Sequence, residues 1–441
     1  MKSKISILAA LAVSFVVLFT GCTKDKCSTT YTYQVYEPVY MDYATLRGSV
    51  ASESPRNLDN PGKIYIYGNY LFVNEVNEGV HVIDNSNPAS PVNKAFINIP
   101  GNVDIAVKGS VMYADNYVDL VAIDISNPEA ASELKRLENI FPQRIWDIGY
   151  YYGDPEKGII VSWELTDKTE TVEVACGEEA QTYYYYGYYG GFEGDMVGVP
   201  AIFSANSDGA QSISTTTTTA SGQGGSMARF TIASRYLYCI DNSDMNLVDI
   251  GEPTNPVIWN KLNIGFNIET IFPYGDKLFI GSTSGMYIYD NSNPSSPVQM
   301  SVYSHVRSCD PVVVSGNYAY VTLRSGTPCQ GFTNALEVID ITNLYQPVLV
   351  KSYSMYNPHG LGIDNNILFI CDGDAGLKVY DAADINTIDQ HLLKHYGTVQ
   401  AYDVIPVSNT NVLIMIGSDG LYQYNYNNPD DIQLLSEIPV I

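Results

Sequence analysis

Residues 79–91 read GVHVIDNSNPASP, and residues 285–297 read GMYIYDNSNPSSP. In each, a short apolar run ends at an aspartate, Asp84 or Asp290, and an Asn/Ser/Pro turn follows. A phrase repeated for chemistry would mark two sites. A phrase repeated for architecture should recur in weaker copies at a steady interval. The weaker copies exist: LVAIDISNP ends its run at Asp124, NLVDIGEPTNP at Asp249, ALEVIDITNLYQP at Asp340 and GLKVYDAAD at Asp381, while GLYQYNYNNP puts Asn425 in the same place. Successive spacings are 40, 125, 41, 50, 41 and 44 residues, so the gap of 125 has room for two units plus an insertion.

Each unit follows one grammar. A first strand (KIYIYG, DIAVKG, TIFPYG, PVVVSG) leads through a tight turn to a second (YLFV, KLFIG, YAYVT, ILFIC). The third strand ends in the repeated Asp, and PVNKAFINI or PVQMSVYS supplies the fourth. Four short strands in each 40-odd residues, with turn signals between them and no helical period, predict an all-β fold, a β-propeller of four-stranded antiparallel blades. Alternation within strands is poor, as expected when both faces of a blade pack on neighbouring blades. Seven units are plain, and an eighth, degenerate one is read near residues 141–175. The expectation is therefore eight blades, with seven as the alternative if that stretch is an elaborated loop. ATLRGSVA (44–51) is read as a further outer strand helping to close the ring.

The third strands GVHVID, DLVAID, ALEVID and GLKVYD resemble the LVIVD repeat of bacterial and archaeal cell-surface proteins. The resemblance covers most of residues 58–441 and fails over about 165–226. It implies a propeller on an exported or surface protein and supplies no reaction.

The first 21 residues read as a signal peptide: Lys2 and Lys4 precede the apolar stretch ISILAALAVSFVVLF, which ends in FTGC. That ending resembles the lipobox of bacterial lipoproteins, with Cys22 as the lipidated residue. Phe19 stands where the consensus prefers Leu. Residues 22–45 then form a lipidated tether, and 46–441 the propeller, with a low-complexity insertion at 176–226. No later apolar run reaches the ~18–20 residues a spanning helix needs. Acyl chains are thus the expected membrane partner, and the outer membrane or cell surface the expected address. Lys24-Asp25 favours surface exposure over the periplasmic face.

The 48 acidic and 23 basic side chains give a formal charge of −25. A field of that sign repels nucleic acid and excludes it as a partner class. Six cysteines follow Cys22, and six thiols allow 15 complete pairings. Cys309 and Cys329 flank one strand-and-loop unit and are the candidate disulfide, whereas Cys239 and Cys371 lie in apolar strands and read as buried residues.

The repeated Asp reads as a turn former, because its carboxylate can accept turn N–H groups and catalysis would not need it in nearly every blade. DGDAG (372–376) and DNSDMN (241–246) read as turns too; the first lacks the distal Glu of a calcium loop. A more individual set stands at the start of each first strand, which lines the channel of a propeller: Lys63, Asp104, Asp147, Arg229, Glu269, Asp310, His359 and Asp403, with Arg144, Trp146 and Arg307 close by. Such a carboxylate-rich ring is a candidate site for a divalent cation such as calcium or for a cationic ligand, and the competing reading is a solvated mouth whose charges pair with one another.

The insertion carries QTYYYYGYYGGFEGD (181–195), in which Tyr183, Tyr184, Tyr185, Tyr186, Tyr188 and Tyr189 form a candidate recognition surface for a protein or glycan. SISTTTTTASGQGGS (212–226) reads as a flexible linker. There is no G-x-S-x-G elbow, P-loop or HExxH. The expected function is a lipid-anchored binding module of the cell envelope without a catalytic residue. The alternative is a glycan-active propeller enzyme using the acids at the channel mouth.

Overall fold

A computed structural model of the chain describes residues 26–141, 144–146, 149–151, 156–175, 222–305, 311–325 and 333–441. Within each repeat, strand order in the sheet follows sequence order. Blade 1 comprises Pro61–Tyr67, Tyr70–Glu75, Gly79–Asp84 and Val92–Asn98, and blade 2 Ile105–Lys108, Val111–Asn116, Asp119–Asp124 and Ser132–Leu137. Blades 3 to 7 begin with the first strands Phe230–Ala233, Ile268–Tyr274, Val312–Ser315, Leu361–Asp364 and Asp403–Val407, respectively. First strands pack side by side in that order, and blade 7 returns to the first strand of blade 1, which closes the ring.

The local chemistry repeats with the blades. Between first and second strands the chain enters the left-handed region at Gly68, Gly109, Gly275 and Gly316, and at Ser234, Asn365 and Asn411 in the other blades. Glycine is favoured there because it has no Cβ to clash. At the end of every third strand the repeated side chain accepts the N–H two residues on: Asp84 from Ser86, Asp124 from Ser126, Asp249 from Gly251, Asp290 from Ser292, Asp340 from Thr342, Asp381 from Ala383 and Asn425 from Asn427, all within 2.8–3.1 Å. The residue after it donates to the first turn, as Asn85 N does to Asn69 O and Asn291 N to Asp276 O. The phrase that opened the sequence is thus a clasp between two turns of one blade.

Tyrosines link the blades. Tyr113 Oη donates to Pro253 O of blade 3 at 2.9 Å, Tyr238 Oη to Pro294 O of blade 4 at 2.7 Å, and Tyr353 Oη to Ile385 O of blade 6 at 2.6 Å. A ring that fills the space between sheets while its hydroxyl reaches a neighbouring carbonyl accounts for part of the tyrosine abundance. Closure between blades 7 and 1 uses reciprocal amide bonds of Asn85 and Gln423, the bond Ser436 Oγ to Pro88 O, and a parallel bridge between Leu58 and Val440.

The expectation of eight blades is corrected to seven: among the described residues there are seven sheets with blade topology, six of four strands and that of blade 1 widened to six by Ala51–Glu53 and Gln223–Gly224. The first strand of blade 2 packs directly beside that of blade 3, leaving no place for a blade built from residues 141–175. Arg144–Trp146 and Gly149–Tyr151 form only a hairpin, and Ile159–Ala175 pairs with Lys26–Met41 in a two-stranded sheet. The spacing of 125 misled because strands there find a partner at the N-terminal end of the chain. That two-stranded sheet forms a second unit, crossed by Thr30–Thr171 and Thr32–Thr169 side-chain bonds. Hence most of the stretch read as tether is strand, and the expected outer strand is shorter: Ala51–Glu53 pairs with Val92–Asn98, after a helix at Tyr43–Arg47.

Candidate functional site

The first-strand positions converge at one end of the ring. Around it stand Asp403, Lys63, Asp104, Arg229 and Glu269 in an alternation of charge, followed after blade 5 by His359. Asp147, Asp310, Arg307, Cys22, Cys309, Cys329 and Tyr183 to Tyr189 lie outside the described residues, as do the side chains of Arg144 and Trp146. Asp403, Asp104 and Lys63 are only 1%, 4% and 4% exposed.

Asp104 and Asp403 share one geometry. Each caps its own strand, through Ile105 N to Asp104 Oδ1 at 2.8 Å and Val404 N to Asp403 Oδ1 at 2.9 Å. Each also reaches a distant segment. Arg229 N and Phe230 N donate to Asp104 Oδ2 at 2.6 and 2.9 Å, while Ser226 N and Ser226 Oγ donate to Asp403 Oδ1 at 3.3 and 3.1 Å. Lys63 Nζ makes an ion pair with Asp104 Oδ2 at 3.2 Å but has no hydrogen bond, and Asp403 Oδ2 and Arg229 Nε likewise have none among the described residues.

That segment fills the space enclosed by the first strands. Gly222 N donates to Val107 O of blade 2. Gln223 and Gly224 pair with Ile66 and Tyr65 of blade 1. Ser226 bonds to Asp403 of blade 7 and accepts Leu361 N of blade 6 at 2.8 Å. Ala228 O accepts Ile271 N of blade 4 at 2.7 Å, and Arg229 returns to blade 2. Gly224 to Ala228 are all buried. Glycine is required at two points, because a Cβ on Gly222 would overlap the Tyr65 ring and one on Gly225 would overlap Asp403 Oδ2. Residues 222–226, read from composition as the end of a linker, are ordered parts of the ring interior. Sequence reasoning missed Gly225 and Ser226 as partners of Asp403. The available signal was a run of small residues ending where a channel-lining strand begins.

Burial pushes the Asp403 carboxyl up to about 7, against the opposing pull of Val404 N–H, Ser226 and Lys63. Burial also drives the His359 imidazole well below its usual value, and the Arg324 guanidinium beside it adds to the effect. His359 is neutral at pH 7, stacked on Tyr402 with ring centroids 5.0 Å apart, and its ring nitrogens lie 3.2 and 3.4 Å from Arg324 Nη1. DGDAG is a turn, closed by Ala375 N to Asp372 O and Gly376 N to Gly373 O, while Asp372 also accepts Tyr356 N and Asn357 N and pairs with Lys378. DNSDMN turns only at its start, where Asp241 accepts Ser243 N and Asp244 N, and from Asp244 it is strand. Among the described residues no group of three His, Cys, Asp or Glu side chains is arranged to hold a metal ion. Cys239 and Cys371 are free and buried, and Cys27 is disulfide-bonded.

Solved structures of similar shape include the computationally designed Ika8 protein, at 9% identity over 88% of this chain and 90% of that one, with a TM-score of 0.48. A periplasmic gluconolactonase of Pseudomonas aeruginosa, PpgL, aligns at 9% identity over 89% and 96% of the two chains, with a TM-score of 0.49. A protein of unknown function from Desulfotomaculum acetoxidans gives 9%, 86% and 95%, with a TM-score of 0.43. Likenesses this distant say nothing about activity. No curated protein matches the sequence. The LVIVD repeat, in contrast, matches residues 61–98, 101–137, 270–305 and 307–355, which are blades 1, 2, 4 and 5. Blades 3, 6 and 7 repeat the same clasp with Asp249, Asp381 and Asn425. The chain is a seven-bladed β-propeller that carries LVIVD repeats in four of its blades.

Proposed function

We propose that this protein is an exported, lipid-anchored propeller that serves as a binding module of the cell envelope and engages a protein ligand through its rim. The observation that carries this reading is the filled ring interior. Residues 222–229 occupy the space where a propeller would otherwise admit a small ligand, and Asp104 and Asp403 are engaged in holding them. Acid chemistry at the channel mouth would first need that segment to leave.

The rim offers an alternative surface. In blades 2 to 7 the fourth strand is the last in its sheet among the described residues, which present no further strand to that edge of backbone N–H and C=O groups. Val257, Ile258 and Trp259 of blade 3, Val298 of blade 4 and Val348 of blade 5 are exposed on such strands. Open edges flanked by apolar side chains suit an extended segment of a partner, which adds as a further strand. The anchor rests on FTGC and Cys22. Labelling with a fatty-acid analogue is expected on the wild type and lost in Cys22→Ser; labelling that persists removes the anchor. Binding is tested by capturing envelope proteins on the lipid-free body. Loss of a specific ligand on V298K/V348K supports the rim, whereas ligand binding that survives these changes and disappears on deleting 177–221 moves the site to Tyr183 to Tyr189.

A further inference from the structure

We propose that residues 222–229 are a releasable closure segment of the ring, and that the protonation state of Asp403 sets how firmly they are held. This inference concerns the ring interior and does not depend on the binding role above.

The geometry divides the segment into a fixed end and a conditional end. At the fixed end, Arg229 N and Phe230 N donate to Asp104 Oδ2, and Lys63 Nζ balances that carboxylate at 3.2 Å. At the conditional end, Asp403 lies between Gly225 and Gly360, so close that a Cβ on either would overlap it. Among the described residues its Oδ1 receives three hydrogen bonds and its buried Oδ2 receives none. A carboxylate with one bare oxygen in a dry site is a costly charge, whereas the neutral acid is not.

The neighbours do not remove that cost. From blade 1, Lys63 faces Asp403 but pairs with Asp104. From blade 6 come the neutral His359, with Arg324 beside it, the thiol of Cys371, pushed up by burial, and Asp372, whose charge Lys378 meets. Within blade 7, Asp419 accepts Gln400 N.

The direction of the coupling follows. In the closed ring the Asp403 carboxyl titrates at about 7. When residues 225–226 lift away and water enters, it returns to the ordinary range near ~3.9. Opening therefore releases a proton, so low pH favours the closed form, and the advantage fades as pH rises through 7. Between pH 5.5 and 8.5 the ratio of open to closed forms rises roughly thirtyfold.

Hydrogen exchange followed by mass spectrometry on the full chain in detergent micelles tests this, after correction for the intrinsic pH dependence of exchange. Peptides covering 222–229 are expected to lose protection roughly thirtyfold from pH 5.5 to 8.5, while those covering Val312–Ser315 and Ala335–Asp340 do not change. In Asp403→Asn, protection of 222–229 should be the same at both values. No pH effect in the wild type, or an unchanged effect in Asp403→Asn, overturns the proposal. Gly225→Ala is expected to release 225–226 at both pH values with the blades intact. Protection retained there, or collapse of the whole ring, overturns it as well.

Discussion

Ser226 Oγ donates to Asp403 Oδ1 at 3.1 Å across 177 residues of sequence, and Ser226 Oγ in turn accepts Leu361 N at 2.8 Å. One small side chain therefore joins the interior segment to blades 6 and 7. Ser226→Ala removes both bonds and leaves the Leu361 N–H buried without an acceptor. An unpaired buried donor costs about 1–3 kcal/mol, so urea unfolding should show a loss in that range. Ser226→Thr keeps the hydroxyl, and a full loss there would mean that space rather than hydrogen bonding sets the effect.

Tyr238 presents a simpler contact between blades. Its hydroxyl lies 2.7 Å from Pro294 O and 3.0 Å from Asn291 Oδ1, while its ring is fully buried. Tyr238→Phe should cost about 0.5–1.5 kcal/mol, and Tyr238→Ala about 3–5 kcal/mol because a cavity opens as well. Equal losses in the two variants would mean that the hydroxyl alone matters. Negligible loss in both would show that the blades cohere without this side chain.

What could be read from the sequence is what the chain decides locally. The Asp84 and Asp290 turns depend on a side chain bonding a backbone group two residues away, so their spacing revealed the repeat even in blades 3, 6 and 7. The positions of Asp104 and Asp403 were legible because strands align by grammar. Their role was not, because both bond a segment that arrives from more than 120 residues away. GQGGS misled for a related reason: glycine serves a flexible linker and a close backbone approach equally well, and only the neighbour distinguishes them. The blade count failed where Ile159–Ala175 pairs with Lys26–Met41 and not with a blade strand.

Arg47, on the short helix before blade 1, binds Asp119 of blade 2, which is fully buried and also receives Arg136 and Asn139 N. Removing Asp119 orphans the Asn139 N–H and weakens both ion pairs, and an unpaired buried donor costs about 1–3 kcal/mol. Asp119→Ala takes one acceptor from each arginine, Arg47 keeping Glu138 and Arg136 keeping Glu133, and leaves Asn139 N without its acceptor, so it should lower Tm beyond Arg47→Ala, whose side chain is partly exposed. Similar losses from the two variants in a calorimetric melt would place the stabilisation in the helix contact alone.

The acid–base profile of stability combines two effects of opposite sign. Asp84, Asp124, Asp249, Asp290 and Asp340 are held below the usual carboxylate range, Asp84, Asp340 and their like by hydrogen bonds from the turn residues, and Asp249 first by Arg235. Their contribution is present above the unfolded value near ~3.9 and is lost as pH falls below it. Asp403 works in the reverse sense. Its folded value is raised to about 7, so its contribution is complete below ~3.9 and is lost as pH climbs through 7. Thermal melts from pH 3 to pH 9 should therefore peak between about 4 and 6. Asp403→Asn should flatten the neutral limb and leave the acid limb unchanged, because the turn carboxylates remain. A wild-type profile that keeps rising through pH 7, or a neutral limb that survives the substitution, would remove Asp403 as its source.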